Sequence, residues 1–340
     1  MFGSLIDIYK KRRKYKQLSV SFNYKYAFIG VGNHSINNLY PVIDYLHIPV
    51  KYIVTNTSET SDIINKSGWG KAVNNIDKAL NDVEIHGVFI SASPKSHYSL
   101  VKKCLLAGKH VFVEKPPCYS LNELKELDNL QKQTGKQVLV GLQKRYAPVY
   151  TLLKKKMQGV QHYSFKYCTG AYPEGDSLFD LFIHPLDAAL YLFGEAEIKS
   201  VININGTLLI HFLHTCGTVG ALELSTDYSW QTPVEQLTAV TKKLIYDLNT
   251  TSELLCKTKP KIIAGIPVEK IVRHIPETRV LFSQNLFIST MQHNNIYING
   301  FYTEIERFVN ICEGKELKNL SPLESLLPTY KILEALKNKI

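Results

Sequence analysis

The chain has 340 residues, 45% apolar and 21% charged, an ordinary globular composition that argues against disorder as the default and allows two domains with cores of their own. A formal net charge of +10 favours anionic partners such as a dinucleotide or a phosphorylated substrate, and by itself also suits a nucleic acid or an acidic membrane. It holds no run of about 20 apolar residues, so no membrane span is expected.

The N-terminus lacks an apolar core followed by small residues, so no secretory leader is expected. Cysteines at 104, 118, 168, 216, 256 and 312 form no CxxC pair and no metal-ligand spacing, which points to reduced thiols in the cytoplasm. Residues 1–24 form a basic extension. Phe2, Leu5, Ile6 and Tyr9 fall at helical spacing, and Lys10, Lys11, Arg12, Arg13, Lys14 and Lys16 follow. A short helix with a solvated charged end is the expectation, because the apolar face is small; peripheral membrane contact is the less favoured alternative.

Tyr26 to Ser35 reads YAFIGVGNHS, an apolar strand that enters a glycine-rich turn and then a helix. Gly30 allows the tight turn, Gly32 lets the backbone approach a pyrophosphate, and the next helix aims free N–H groups at the anion. Ser35 takes the third glycine position and is still small. A plain glycine turn after a buried strand would use the same residues; the strand before and the helix after favour the cofactor.

Strands and helices then alternate. Helices are expected at Asn37 to His47, Ser61 to Ser67, Asn75 to Asn81, Lys95 to Ala107 and Leu121 to Thr134. Strands are expected at Pro49 to Thr55, Ile85 to Ala92, His110 to Glu114 and Gln137 to Gly141. This pattern gives a doubly wound parallel sheet, with ligands at the carboxyl ends of its strands. The second strand ends in Val54, Thr55, Asn56, Thr57 and Ser58, without the carboxylate that holds ribose hydroxyls and without an arginine for a 2′-phosphate. NAD or NADP therefore stays open.

Ser91 to His97, SASPKSH, begins where a strand stops, so its backbone and the Pro94 bend would lie over the cofactor. His97 stands near a helix start, where capping or packing is the expected role. Farther on, Pro116 and Pro117 end the pairing of the strand that closes in Glu114, which places Lys115 at the sheet's carboxyl edge.

The order YAFIGVGNHS, SASPKSH, AGKHVFVEKPP resembles the Gfo/Idh/MocA family, the glucose-fructose oxidoreductases and inositol dehydrogenases, whose hallmark is Glu-Lys-Pro after such a strand. The resemblance covers roughly residues 25–340. It implies an α/β chain with a Rossmann domain at 25–145 and a substrate and oligomerisation domain at 146–340, built on a large, mostly antiparallel open sheet. The cofactor set is then Gly30, Gly32, Asn33, His34, Thr55, Asn56, Ser91, Ser93, Pro94, His97, Glu114 and Lys115.

Within GLQKRYAPVY, Gly141 to Tyr150, the resemblance places Lys144, Arg145 and Tyr146 near the cleft. Arg145 would bind a substrate oxygen through its planar fork or pair with a structural carboxylate. Strands are expected at Tyr163 to Thr169, Glu197 to Ile204, Gly206 to Leu213, Thr218 to Thr226 and Gln236 to Thr241. Lys259 to Asn299 reads as irregular and is a candidate for substrate specificity. Gly300 to Cys312 and Ser321 to Ile340 read as closing helices.

Between the first two of those strands runs GDSLFDLFIHPLD, Gly175 to Asp187. Asp180, His184 and Asp187 are four and three apart and would share one helix face, and Pro185 argues for a helix start near His184. The rest of the helix is greasy, so the three need a polar surface such as a cleft. Alternatives are a buried, hydrogen-bonded histidine or a metal site, and further ligands at metal spacing are missing. The segment is similar to the family's Gly-x-x-x-x-Asp-x-x-x-His-x-x-Asp pattern, which implies catalytic Asp180 and His184; Asp176, where many members have glycine, leaves the loop conformation open.

The expected chemistry is hydride transfer between the nicotinamide and a hydroxyl or keto carbon of a sugar, nucleotide sugar or cyclic polyol. His184 takes the hydroxyl proton, Lys115 stabilises the reacting oxygen, and Asp180 orients the substrate or the imidazole. Asp187 is expected to support the site, and with Arg145 and Tyr146 completes the substrate set. A homo-oligomer, dimer or tetramer, is implied by the resemblance, with no metal and no nucleic acid. Two rivals are a non-catalytic dinucleotide sensor of the same fold and nucleic-acid binding through the basic prefix.

Overall fold

A computed structural model describes residues 2–18, 21–273, 277–315 and 317–339. Parts of the expected N-terminal extension, of the irregular segment and of the final helix therefore lie outside the described residues. The chain divides into two compact units. The first comprises Met1–Glu114, Leu130–Leu139 and Glu304–Asn319; the second comprises Lys115–Asn129, Val140–Thr303 and Leu320–Ile340.

The first unit opens with helix α1 (Phe2–Leu18) and carries a six-stranded sheet in the order β3-β2-β1-β4-β5-β6. Its strands are β1 (Lys25–Ile29), β2 (Val50–Val54), β3 (Lys71–Val73), β4 (Ile85–Ile90), β5 (His110–Glu114) and β6 (Val138–Gly141). The pairs β1–β2, β1–β4, β2–β3 and β4–β5 are parallel. Between them run α2 (Tyr40–Tyr45), α3 (Ser58–Ser67), α4 (Ile76–Leu80), α5 (Pro94–Leu106) and α6 (Leu121–Thr134), whose first nine residues fall in the second unit. Strands of a parallel sheet are covered on both faces, and β4 and β5 accordingly bury Val88, Phe89, Ile90, Val111, Phe112 and Val113 completely.

Helix α2 is entered through a π-type turn, Ser35–Leu39, in place of the regular helix expected from Asn37. The short edge strand β3 was not foreseen either. Phe308, far along the chain, closes this core: its ring lies 5.0 Å from Phe89 and 6.0 Å from Phe112. Burying one such ring contributes about 1.5–3 kcal/mol.

The second unit holds α7 (Pro148–Lys156), β7 (Val160–Cys168), α8 (Ile183–Phe193), β8 (Ala196–Ile204), β9 (Thr207–His214), β10 (Val219–Ser225) and β11 (Val234–Thr241). After them come β12 (Leu244–Asn249), β13 (Glu253–Thr258), β14 (Ile262–Ile263), β15 (Ile266–Pro267) and β16 (Thr278–Ser283). Helices α9 (Asn295–Ile298), α10 (Phe301–Cys312) and α11 (Leu327–Lys337) close the chain, most of α10 belonging to the first unit.

Eight of these strands form a sheet ordered β16-β13-β12-β11-β7-β10-β9-β8. It is mostly antiparallel, with β7 and β10 parallel. The α/β architecture expected from the sequence is the one observed. Period-two burial is clearest in β9, where Leu208, Ile210, Phe212 and His214 are buried between exposed neighbours. Tyr163 anchors that face: it stacks on Phe193 at 4.0 Å and shares a 2.9 Å hydrogen bond with His214 Nε2. The expectation of irregular chain over Lys259 to Asn299 is corrected by β16, which pairs with β13 along Glu253↔Ser283 to Lys257↔Thr278.

Candidate functional site

In the first unit the glycine turn leaves the carboxyl end of β1. Gly30 has φ +100°, and a Cβ there would stand 2.2 Å from the Ser91 carbonyl oxygen, so only glycine fits. Gly32 has nothing within 4 Å of the same position, which leaves its backbone open to a ligand. Ser35 is fully buried and shares a 2.9 Å hydrogen bond with the Ser91 hydroxyl, tying the turn to the end of β4. Asn33 and His34 are exposed on the turn, and His34 Nε2 lies 3.1 Å from Glu114 Oε1 at the end of β5.

A cavity of about 340 Å³ adjoins the turn, lined by Gly30, Val31, Thr55, Asn56, Thr57 and Ser96 among others. Thr55 Oγ1 lies 2.6 Å from Ser61 Oγ, and Thr57 caps α3 by accepting from the Thr60 N–H at 3.2 Å. Ser93 and Pro94 open α5. His97 is buried and its Nε2 lies 3.0 Å from the Ala92 carbonyl oxygen. An open glycine backbone, a helix start and a hydroxyl-lined cavity at one end of a parallel sheet fit a dinucleotide.

In the second unit Lys115 and Asp180 meet: Lys115 Nζ donates to the Asp180 carbonyl oxygen at 2.5 Å. The Asp180 carboxylate is held at both oxygens. Tyr119 Oη donates to Oδ1 at 3.0 Å, and the Asp176 N–H donates to Oδ2 at 3.0 Å. A Cβ on Gly175 would fall 2.4 Å from Oδ2, so this glycine is dictated by the carboxylate above it. Asp176 settles the loop it sits in, accepting from the N–H groups of Leu178 at 2.9 Å and Phe179 at 3.3 Å. His184 is buried in the first turn of α8, four residues after Asp180.

Asp180, His184 and Asp187 are not all carried by one regular helix. Ser177–Phe182 is a π-type turn that runs into α8, so Asp180 precedes the regular helix that carries His184 and Asp187. Asp187 reaches a different set of partners. Arg145 Nε donates to Asp187 Oδ2 at 2.8 Å and Nη2 to Oδ1 at 2.5 Å, while Thr329 Oγ1 donates to Oδ1 at 3.1 Å. Arg145 Nη1 also donates to the Leu320 carbonyl and the Ser325 hydroxyl, both at 2.7 Å. Of the two alternatives for Arg145, the geometry supports the structural pair. Tyr146 is buried against Ser321 Oγ at 2.9 Å.

Two features escaped sequence reasoning. Tyr119 follows Lys115 by four residues, but no motif distinguishes it from any loop tyrosine. Lys144 is buried with its Nζ 2.6 Å from both Glu235 oxygens, and Tyr150 donates to Glu235 Oε1 at 2.6 Å; the partners are too far apart in sequence to be paired by spacing. Among the described residues no group of three or more His, Cys, Asp or Glu could hold a metal ion. No helix among them is long and apolar enough to cross a membrane.

Fold and turn together define a dinucleotide-binding architecture. Residues 24–142 match the model of the Gfo/Idh/MocA family, described as an oxidoreductase family with an NAD-binding Rossmann fold. A scyllo-inositol 2-dehydrogenase (NAD(+)) of Bacillus subtilis is 32% identical over 154 residues, which are 42% of this chain and 45% of that protein. The chain thus spans less than half the length of the curated relatives it matches first.

Solved structures extend the likeness of fold to almost the whole chain. A dehydrogenase from Clostridium difficile superposes with a TM-score of 0.78 at 18% identity, covering 94% of this chain and 100% of its own. A 3-ketoreductase from Actinomadura kijaniata, in complex with NADP and TDP-benzene, reaches 0.73 at 13% identity, covering 93% and 97%.

Proposed function

We propose that the protein is an NAD(P)-dependent oxidoreductase that moves a hydride between the nicotinamide and a hydroxyl or keto carbon of a sugar, nucleotide sugar or cyclic polyol. The observation that carries this reading is the Lys115–Asp180–Tyr119 arrangement one helical turn before His184. The bound nicotinamide supplies the hydride acceptor or donor. In the oxidative direction His184 takes the hydroxyl proton as general base, and Lys115 hydrogen-bonds the reacting oxygen and stabilises its developing charge. Asp180, fixed at both oxygens, orients Lys115 through its carbonyl and presents its remaining lone pairs to substrate or imidazole.

Arg145, Asp187 and Tyr146 serve as scaffold for this segment rather than as substrate ligands. The +10 charge tilts the substrate toward a nucleotide-linked sugar. We place the extension at residues 1–24, the dinucleotide domain at 25–145 and a substrate and oligomerisation domain at 146–340, in a cytoplasmic homo-oligomer; six free thiols suit that reducing compartment.

The test follows nicotinamide absorbance with NAD and NADP over free sugars, polyols and nucleotide sugars. Turnover that collapses in Lys115→Ala and His184→Ala supports the reading. Dinucleotide binding without turnover on any of them counts for a sensor of the same fold.

A further inference from the structure

Helix α1 is divided along its length. Leu5, Ile6, Ile8 and Tyr9 come first, broken only by Asp7, and Lys10, Lys11, Arg12, Arg13 and Lys14 follow without interruption. The sequence suggests a solvated charged end on a helix whose small apolar face needs no partner. The structure adds that the apolar residues are bare: Leu5 is 61% exposed, Ile6 52%, Ile8 48% and Tyr9 65%.

A helix of this length gains little from its own hydrogen bonds and depends on burying side chains, which the described residues do not provide here. The covering surface must satisfy two demands at once. Five consecutive exposed cations ask for dense negative charge, and the preceding apolar residues ask for hydrocarbon. A nucleic acid meets the first demand and leaves Leu5, Ile6 and Ile8 in water. A second copy of the helix meets the second and sets like charges together. A bilayer rich in anionic phospholipid meets both, with apolar side chains below the headgroups and cations at the phosphates.

We propose that α1 is a membrane-surface anchor that docks the protein on anionic phospholipid, the Leu5–Tyr9 stretch entering the headgroup boundary and Lys10–Lys14 forming a cationic collar. This does not rest on the oxidoreductase reading. The axial order of apolar and basic residues suits insertion of the N-terminal end better than a helix lying flat, since flat binding needs the two kinds of residue on opposite sides.

The experiment is co-sedimentation of the full chain with phosphatidylcholine vesicles with and without phosphatidylglycerol. Binding is expected only with phosphatidylglycerol and should fall as salt is raised. Lys11→Glu/Arg13→Glu should weaken it by at least about tenfold. Leu5→Ser/Ile6→Ser should weaken it severalfold at fixed charge. All four positions are exposed, so circular dichroism should be unchanged and losses then read as lost docking. Equal pelleting with neutral and anionic vesicles would overturn the proposal, as would no pelleting with either. Binding to RNA that ignores Leu5→Ser/Ile6→Ser, or self-association lost on that substitution without vesicles, would overturn it in favour of those partners.

Discussion

The phenol of Tyr119 donates to Asp180 Oδ1 at 3.0 Å, while the carbonyl of the same aspartate accepts from Lys115 Nζ. One residue thus joins a tyrosine outside the family's motif to the lysine inside it. Burial and the neighbouring Asp180 push the Tyr119 phenol well above its ordinary pKa, so it remains a donor into strongly alkaline solution. Hydrogen bonds to charged groups contribute about 1.5–3 kcal/mol. Tyr119→Phe should therefore lower kcat about tenfold or more with an unchanged dinucleotide Kd. Steady-state kinetics beside dinucleotide titration checks this; loss of both together would mean a general folding defect.

Gly175→Ala tests the same carboxylate from the other side. The added Cβ would meet Asp180 Oδ2 at 2.4 Å and a Tyr172 ring carbon at 2.7 Å. Those are side-chain atoms and can yield, so the protein should fold while Asp180 loses its bond from the Asp176 N–H. Activity should fall at least about tenfold, by the worth of one such bond to a charged group. Thermal melting and turnover measured together separate the two effects.

Arg145 and Asp187 are both nearly inaccessible, with side chains 4% and 2% exposed. Removing one partner of such a pair strands a buried charge, at a cost of about 3–5 kcal/mol. Arg145→Met should lower the stability in urea by that order, and Arg145→Met/Asp187→Leu should recover much of it. A single variant as stable as the parent would place Arg145 among the ligand-binding residues instead.

Glu304 gives a pH-dependent stability. It is fully buried, and neither carboxyl oxygen has a hydrogen-bond partner among the described residues. Burial, with Glu114 nearby, pushes its pKa well above the ordinary value. The folded state therefore holds a proton that the unfolded chain releases above about pH 4.3. Its contribution to stability is complete below that pH and is lost as pH rises toward the folded pKa, by at most about 1.4 kcal/mol per unit. Melting temperatures taken from pH 5 to pH 8 should fall in the parent more steeply than in Glu304→Gln. Parallel curves would contradict the assignment.

Much of the N-terminal part of the chain was legible because its signals are local. Helix α6 and strand β5 have the bounds read from periodicity, and the glycine turn follows from residue types alone. Strand β3 has three residues at a sheet edge, too few for a pattern. In the second unit β12 and β13 alternate over only six residues each, and β16 is an edge strand with no buried residue. The π-type turn before α8 leaves no mark in residue type. Arg145 and Asp187 stand 42 residues apart, and only the folded chain pairs them.

The most direct test of the proposed chemistry is a nicotinamide absorbance assay of the parent beside His184→Gln, with each dinucleotide, on sugars, polyols and nucleotide sugars. The account predicts turnover on at least one, lowered about 10²- to 10⁴-fold in the variant while dinucleotide binding is kept. Equal turnover in the two proteins, or dinucleotide binding with no turnover on any substrate, would contradict it.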